Sequence, residues 1–162
     1  MGNIRVEGKK LIYQRKDELT IIEPYGMNCL RCRSTKNSKI LDENWTVLPP
    51  ATADDCHIEC DGKFATITNG AMKATIDAGQ IWYGGIITYF KKDTPVLHTR
   101  FEGDYSNRNQ HIEGDHYKIS VIFDANEGEH FYGIGQEQVD LFDRKGSTSQ
   151  IIHYNTKSTV PV

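Results

Sequence analysis

Apolar residues recur at every second position in short runs along this chain, and turn residues separate the runs. In residues 71–77, Met72, Ala74 and Ile76 face one way while Lys73, Thr75 and Asp77 face the other. Residues 116–124 alternate likewise, with Tyr117, Ile119, Val121 and Phe123 on one side. A period of two is that of a half-buried β-strand, since successive side chains leave opposite faces of the backbone. No window of helical length holds a sustained 3.6-residue apolar stripe, and only residues 136–142 have room for one helical turn.

The turns set the connectivity. Asp61-Gly62 and Asn69-Gly70 each supply the positive φ angles of a two-residue type I′ hairpin turn. They predict an antiparallel meander of strands at 57–60, 63–68 and 71–77. Ala78-Gly79 then leads into 80–90, where Ile81, Tyr83, Ile87 and Tyr89 share a face. A hairpin is predicted from 10–14 and 19–23 across Arg15-Lys16-Asp17-Glu18. A strand at 28–34 follows Pro24-Tyr25-Gly26, and 148–155 is a further candidate. Residues 35–55 and 102–115 lack periodicity and read as long surface connections. About ten short strands with frequent turns predict an all-β fold, an antiparallel β-sandwich.

Composition narrows the function classes. The 162 residues fit one domain with a core of its own. A formal charge of −3 offers no basic field, so neither nucleic acid nor an anionic membrane is an expected partner. No apolar run reaches bilayer length. The first residues, Met1-Gly2-Asn3-Ile4-Arg5, lack the apolar core of a secretory signal, so a cytoplasmic location is expected. The apolar ending Val160-Pro161-Val162 reads as a chain cut partway through a fold, at its C-terminal end.

Four cysteines at 29, 32, 56 and 60 have the spacing of a zinc site. Cys29 and Cys32, three apart on a strand, point to opposite faces, and neither pair encloses the glycine that knuckles use to turn the chain. Buried or half-buried free thiols are the expectation, with no metal. The six histidines show no HExxH spacing, and His111, His116, Glu113 and Asp115 read as a polar loop rather than a metal site. The serines lack a GxSxG elbow. Glu137, Asp140 and Asp143 recur every third residue and could share a helical face as acid and base. With nothing nearby to desolvate one of them, a solvated polar loop is the plainer reading. No catalytic residue is assigned.

The densest motif is Phe131-Tyr132-Gly133-Ile134-Gly135-Gln136-Glu137-Gln138, followed by Asp143-Arg144-Lys145-Gly146. It resembles the stretch that precedes the catalytic barrel in glycoside hydrolase family 31, which includes α-xylosidases and α-glucosidases. Glu23-Pro24-Tyr25-Gly26-Met27-Asn28-Cys29-Leu30-Arg31-Cys32-Arg33, Thr68-Asn69-Gly70-Ala71 and Asn155-Thr156-Lys157-Ser158 resemble family segments in the same order. The resemblance covers roughly residues 10–162. It implies a single N-terminal domain, 1–162, of galactose mutarotase-like supersandwich fold. A (β/α)8 barrel carrying two catalytic aspartates is expected downstream, and no cofactor is implied. The implied role is to brace that barrel and to lend a loop, Asn155, Thr156 and Lys157, to the rim of the sugar pocket, beside the motif loop Tyr132, Gly133, Gly135, Gln136 and Glu137. The expected partners are the downstream barrel and an oligosaccharide, with self-association of the isolated chain through apolar surface and an unpaired sheet edge. A free-standing carbohydrate-binding module is the alternative, with Trp45, Trp82, Tyr83, Tyr89, Tyr105 and Tyr132 as stacking platforms.

Overall fold

The computed structural model describes residues 2–16, 18–45, 47–48, 55–79, 85–100, 109–114, 116–136, 140–153, 155 and 157–159. The described residues form antiparallel strands and no helix. They fall into two compact units, Met1–Asp124 and Ala125–Val162.

The first unit is the sandwich. Strands β1 (Asn3–Glu7), β2 (Lys10–Arg15), β3 (Glu18–Pro24) and β4 (Leu30–Thr35) make one sheet in sequential order. Strands β5 (Cys56–Cys60), β6 (Phe64–Asn69), β7 (Met72–Asp77), β8 (Ile86–Lys91) and β9 (Thr94–Arg100) make the second. It is finished at the β9 edge by the short β12 (Ile122–Phe123). β10 (Asn109–Glu113) and β11 (His116–Ile119) form a separate hairpin. The inward positions of the two sheets meet in one core. Leu11 and Ile22 from the first sheet, and Ile67, Ile76 and Ile87 from the second, are each at most 1% exposed. Alternation therefore places the core as expected in 71–77, where Ala74 and Ile76 are buried, but the Tyr117, Ile119, Val121 and Phe123 face of 116–124 is exposed. Removing the core's apolar surface from water is the main stabilising term.

The first sheet is buried on its other face too. Ile12, Leu19 and Ile21 form a second cluster, and Ile40 from the segment after β4 packs on it. The segment around Ile40, within the stretch 35–55 expected to be only a surface connection, therefore covers part of this face. Glu23 lies on that face, 6% exposed. Its Oε1 accepts from Arg31 Nε at 2.9 Å and from Arg33 Nη2 at 2.6 Å, and Lys10 Nζ is 3.5 Å from Oε2. The covering segment ties into the same cluster: Arg31 donates to Asn44 Oδ1 at 2.6 Å and Arg33 to the Leu41 carbonyl at 3.0 Å. Burial pushes the Glu23 carboxyl up, but the hydrogen bonds and charges of Arg31 and Arg33 outweigh it, so the group sits below its ordinary value.

Several expectations are corrected. Both hairpin turns fall one residue later than the sequence predicts: Asn69 pairs with Met72, so the central residues are Gly70 and Ala71, and only Gly70 has positive φ. Around Gly62 the Asp61 amide donates to the Phe64 carbonyl, which makes Gly62 and Lys63 central, with Gly62 alone in the left-handed region. Type I′ needs two such residues, so neither turn is of that type. Residues 116–124 break at Ser120 into β11 and β12, and part of the supposed connection 102–115 is strand β10. Strands β1 and β9 were not anticipated. Residues 148–153 are not a strand. The candidate helical turn and the 80–84 part of its strand, with Ile81 and Tyr83, lie largely or wholly outside the described residues.

The thiols differ as well. Cys29, Cys32 and Cys60 are exposed, and only Cys56 is half-buried, where burial pushes its thiol up. Cys29 lies outside β4, because Asn28 takes a left-handed φ of 52° and ends the turn there.

Candidate functional site

The sequence motif of the second unit builds a cleft of about 470 Å³. One wall is Phe131, Tyr132 and Ile134; the other is Arg144, Gly146, Ser147, Ser149 and Ile151. Asp143 joins the walls. Its Oδ1 accepts from the Phe131 amide at 3.1 Å and the Lys145 amide at 3.0 Å, and its Oδ2 faces His130 Nδ1 at 2.7 Å. The Arg144 amide donates to the Phe131 carbonyl at 2.7 Å, closing a backbone bridge beside the carboxylate. Ser147 then folds back, its amide and its hydroxyl both donating to the Arg144 carbonyl.

Asp143 was expected in a solvated polar loop. It is instead the tie between the two walls, and neighbouring Asp140 is exposed while Glu137 lies outside the described residues. The His130 contact, then the Lys145 and Phe131 amides, hold the Asp143 carboxyl down to about 2 from its ordinary 3.8. A depressed acid stabilises the fold above its unfolded pKa and stops doing so as pH falls through its folded value. The tie is therefore expected to be intact at pH 4 and above and to be lost toward about pH 2. Proton NMR of the Tyr132 and His130 rings checks this; ring shifts that stay flat between those limits would contradict it.

The glycines of the motif have a physical reason. Gly133, Ile134 and Gly135 have φ of 99°, 70° and 96°, three left-handed residues in succession. Glycine accepts that region freely, whereas a β-branched residue does not. Ile134 holds a conformation costing on the order of 1–3 kcal/mol, and strain of this kind gathers at functional sites. The aromatic wall is ordered by contact: His130 stacks on Tyr132 with centroids 6.0 Å apart, and Phe142 tilts against Tyr132 at 4.9 Å. Tyr132 stays 52% exposed and Phe131 53%. The sequence reading named Tyr132, the glycines, Gln136 and Glu137 as the motif loop. It quoted Phe131 and Arg144 in the motif without assigning them to the site, and it did not assign Ser147 or Ile151. The stretch Asp143–Gly146 was the one signal toward them, because a carboxylate placed to cap two loops brings its neighbours with it.

The strand that follows the expected rim segment pairs with the motif. β13 (Gly135–Gln136) pairs with β14 (Ser158–Thr159), Gln136 opposite Ser158. Asn155 is exposed, and Lys157 donates to the Gln150 carbonyl at 2.5 Å. Thr156 lies outside the described residues. Among the module's aromatics, Trp45 is 87% exposed and Tyr89 packs on the sandwich core; Trp82, Tyr83 and Tyr105 are outside the described residues.

An antiparallel two-sheet sandwich followed by a small glycine-rich unit defines the class. No family model matches the chain. Over 86% of its length it is 25% identical to an uncharacterized family 31 glucosidase of Pseudescherichia vulneris, of which it covers 30%. Its fold matches the crystal structure of a family 31 α-xylosidase from a soil metagenome, determined with xylose, at a TM-score of 0.82 and 20% identity. That match covers 98% of this chain and 26% of the α-xylosidase. The sequence relative bears out the resemblance to the N-terminal domain of glycoside hydrolase family 31, and the structural likeness bears out the fold it implied. The chain spans less than a third of the length of either relative.

Proposed function

We propose that this chain is the non-catalytic N-terminal region of a larger retaining α-glycosidase, α-xylosidase-like, which hydrolyses O-glycosyl bonds. The observation that carries the reading is the coverage: a fold likeness over 98% of this chain accounts for only 26% of the α-xylosidase. A retaining glycosidase needs two carboxyl groups about 5–5.5 Å apart flanking the sugar. The carboxylate at the cleft, Asp143, is committed to one histidine and two backbone amides. In this reading the sandwich braces the barrel, and Asn155, Thr156 and Lys157 reach the rim of its sugar pocket.

The test is hydrolysis of an aryl α-xyloside and an aryl α-glucoside. The chain alone is expected to release no aryl alcohol, and the longer polypeptide that contains it is expected to turn over the xyloside. Turnover by the chain alone sinks the reading. The exposed Trp45, Tyr132 and Phe142 favour a second reading, a free-standing carbohydrate-binding module. Micromolar binding of xylo- or malto-oligosaccharides in calorimetry distinguishes it, since a module must hold its ligand unaided.

A further inference from the structure

We propose that the cleft of the second unit is itself a subsite for one pyranose ring, lined by residues other than Asn155 and Lys157. A sugar ring has apolar C–H faces and a polar edge, so it needs an aromatic platform beside hydrogen-bonding groups. The cleft supplies both. Phe131 and Tyr132 present half-exposed rings on one wall, and Ser147 and Ser149 line the other. The Ser147 hydroxyl donates to the Arg144 carbonyl, which leaves its oxygen lone pairs to accept from a sugar hydroxyl.

Three observations mark the cleft as a built site. Its volume, about 470 Å³, lies in the range of small-molecule sites. Its walls are fixed to each other through Asp143 and the Phe131–Arg144 bridge, so little ordering remains to be done on binding. Its Ile134 is held at a φ that its branched side chain resists, between two glycines. The choice of a sugar rests on the glycosidase reading above; the cleft's shape and rigidity do not. One ring on a half-open platform predicts millimolar affinity, weaker than a self-sufficient module needs.

Saturation-transfer NMR on the whole chain, with methyl α-xyloside and methyl α-glucoside as probes, tests the proposal. Transfer from aromatic protons to at least one glycoside is expected. Tyr132→Ala is expected to weaken binding by about tenfold. Ile151→Trp, at a position 54% exposed, is expected to fill the cleft and abolish binding. Trp45→Ser should leave it unchanged, and a shared thermal transition shows that all three variants fold. Neither glycoside binding at the highest soluble concentrations overturns the subsite, as does binding that survives both cleft variants or is lost with Trp45. Hydrolysis by the longer polypeptide is scored separately, so an empty cleft leaves the glycosidase reading standing.

Discussion

Replacing Glu23 with alanine is expected to destabilise the sandwich by about 3 kcal/mol, the low end of what breaking a buried ion pair costs. The carboxylate is 6% exposed and serves two guanidinium groups that are 17% and 18% exposed, with Lys10 at its second oxygen. Without it, Arg31 and Arg33 face each other across a site that water reaches poorly. Arg31 also lies 4.2 Å from the Tyr25 ring centre, and Tyr25 donates to the Leu48 carbonyl, so the loss spreads into the covering segment. The low end is chosen because the arginines can swing toward solvent. Thermal unfolding is expected to fall by about 10 °C. The pH dependence gives an independent check. The folded pKa of Glu23 lies below 4.5, so its contribution is complete above that value and fades as pH falls through the folded pKa. The gap between wild type and Glu23→Ala should therefore narrow in acid; a gap that stays constant or widens there contradicts the account.

That cluster also shows where sequence reading ran out. Period-two alternation found most strands of the second sheet, because each of them has one wet and one dry face. It missed that β3 is dry on both, since Glu18, Leu19, Thr20, Ile21, Ile22 and Glu23 are all buried. A charged residue at a buried position breaks the pattern unless its partners are known, and Arg31 and Arg33 come from the next strand. β9 was missed for a related reason: Pro95 and the register shift between Tyr89 and Phe90 interrupt its alternation. In the second unit the order is tertiary. The bond from the Lys145 amide to Asp143 is a local turn, but nothing in the local sequence says that Asp143 will also take the amide of Phe131 twelve residues back, so the cleft walls were legible only as a glycine-rich motif. The glycines could be read because positive φ leaves a residue-type signature, whereas a carboxylate that ties two loops looks like any surface acid.

Asn69 carries the second large effect, and it explains why the Asn-Gly signal misled by one residue. Instead of sitting in the turn, Asn69 ends β6 with its side chain inside, 1% exposed. Its Nδ2 donates to the Gly26 carbonyl at 2.8 Å and the Cys29 carbonyl at 2.7 Å, both in the turn between β3 and β4. Asn28 of that turn replies, its Oδ1 accepting from the Ala71 amide at 2.7 Å. The two sheets are thus latched turn to turn by a pair of asparagines. Gly70 is needed at the contact, since a Cβ there would clash with Asn28 Oδ1 while that oxygen holds the Ala71 amide. Asn69→Ala removes two hydrogen bonds and leaves a small cavity, for an expected loss of about 2–3 kcal/mol. Asn69→Asp is nearly isosteric, yet it replaces the donor with an acceptor facing two carbonyls and adds a buried charge. It is expected to cost more than the alanine variant at neutral pH, and its deficit should shrink in acid as the carboxyl regains a proton to donate. Urea unfolding of both variants at two pH values decides the matter. If Asn69→Asp is the milder change, the amide is a space filler and the latch is held by Asn28 alone.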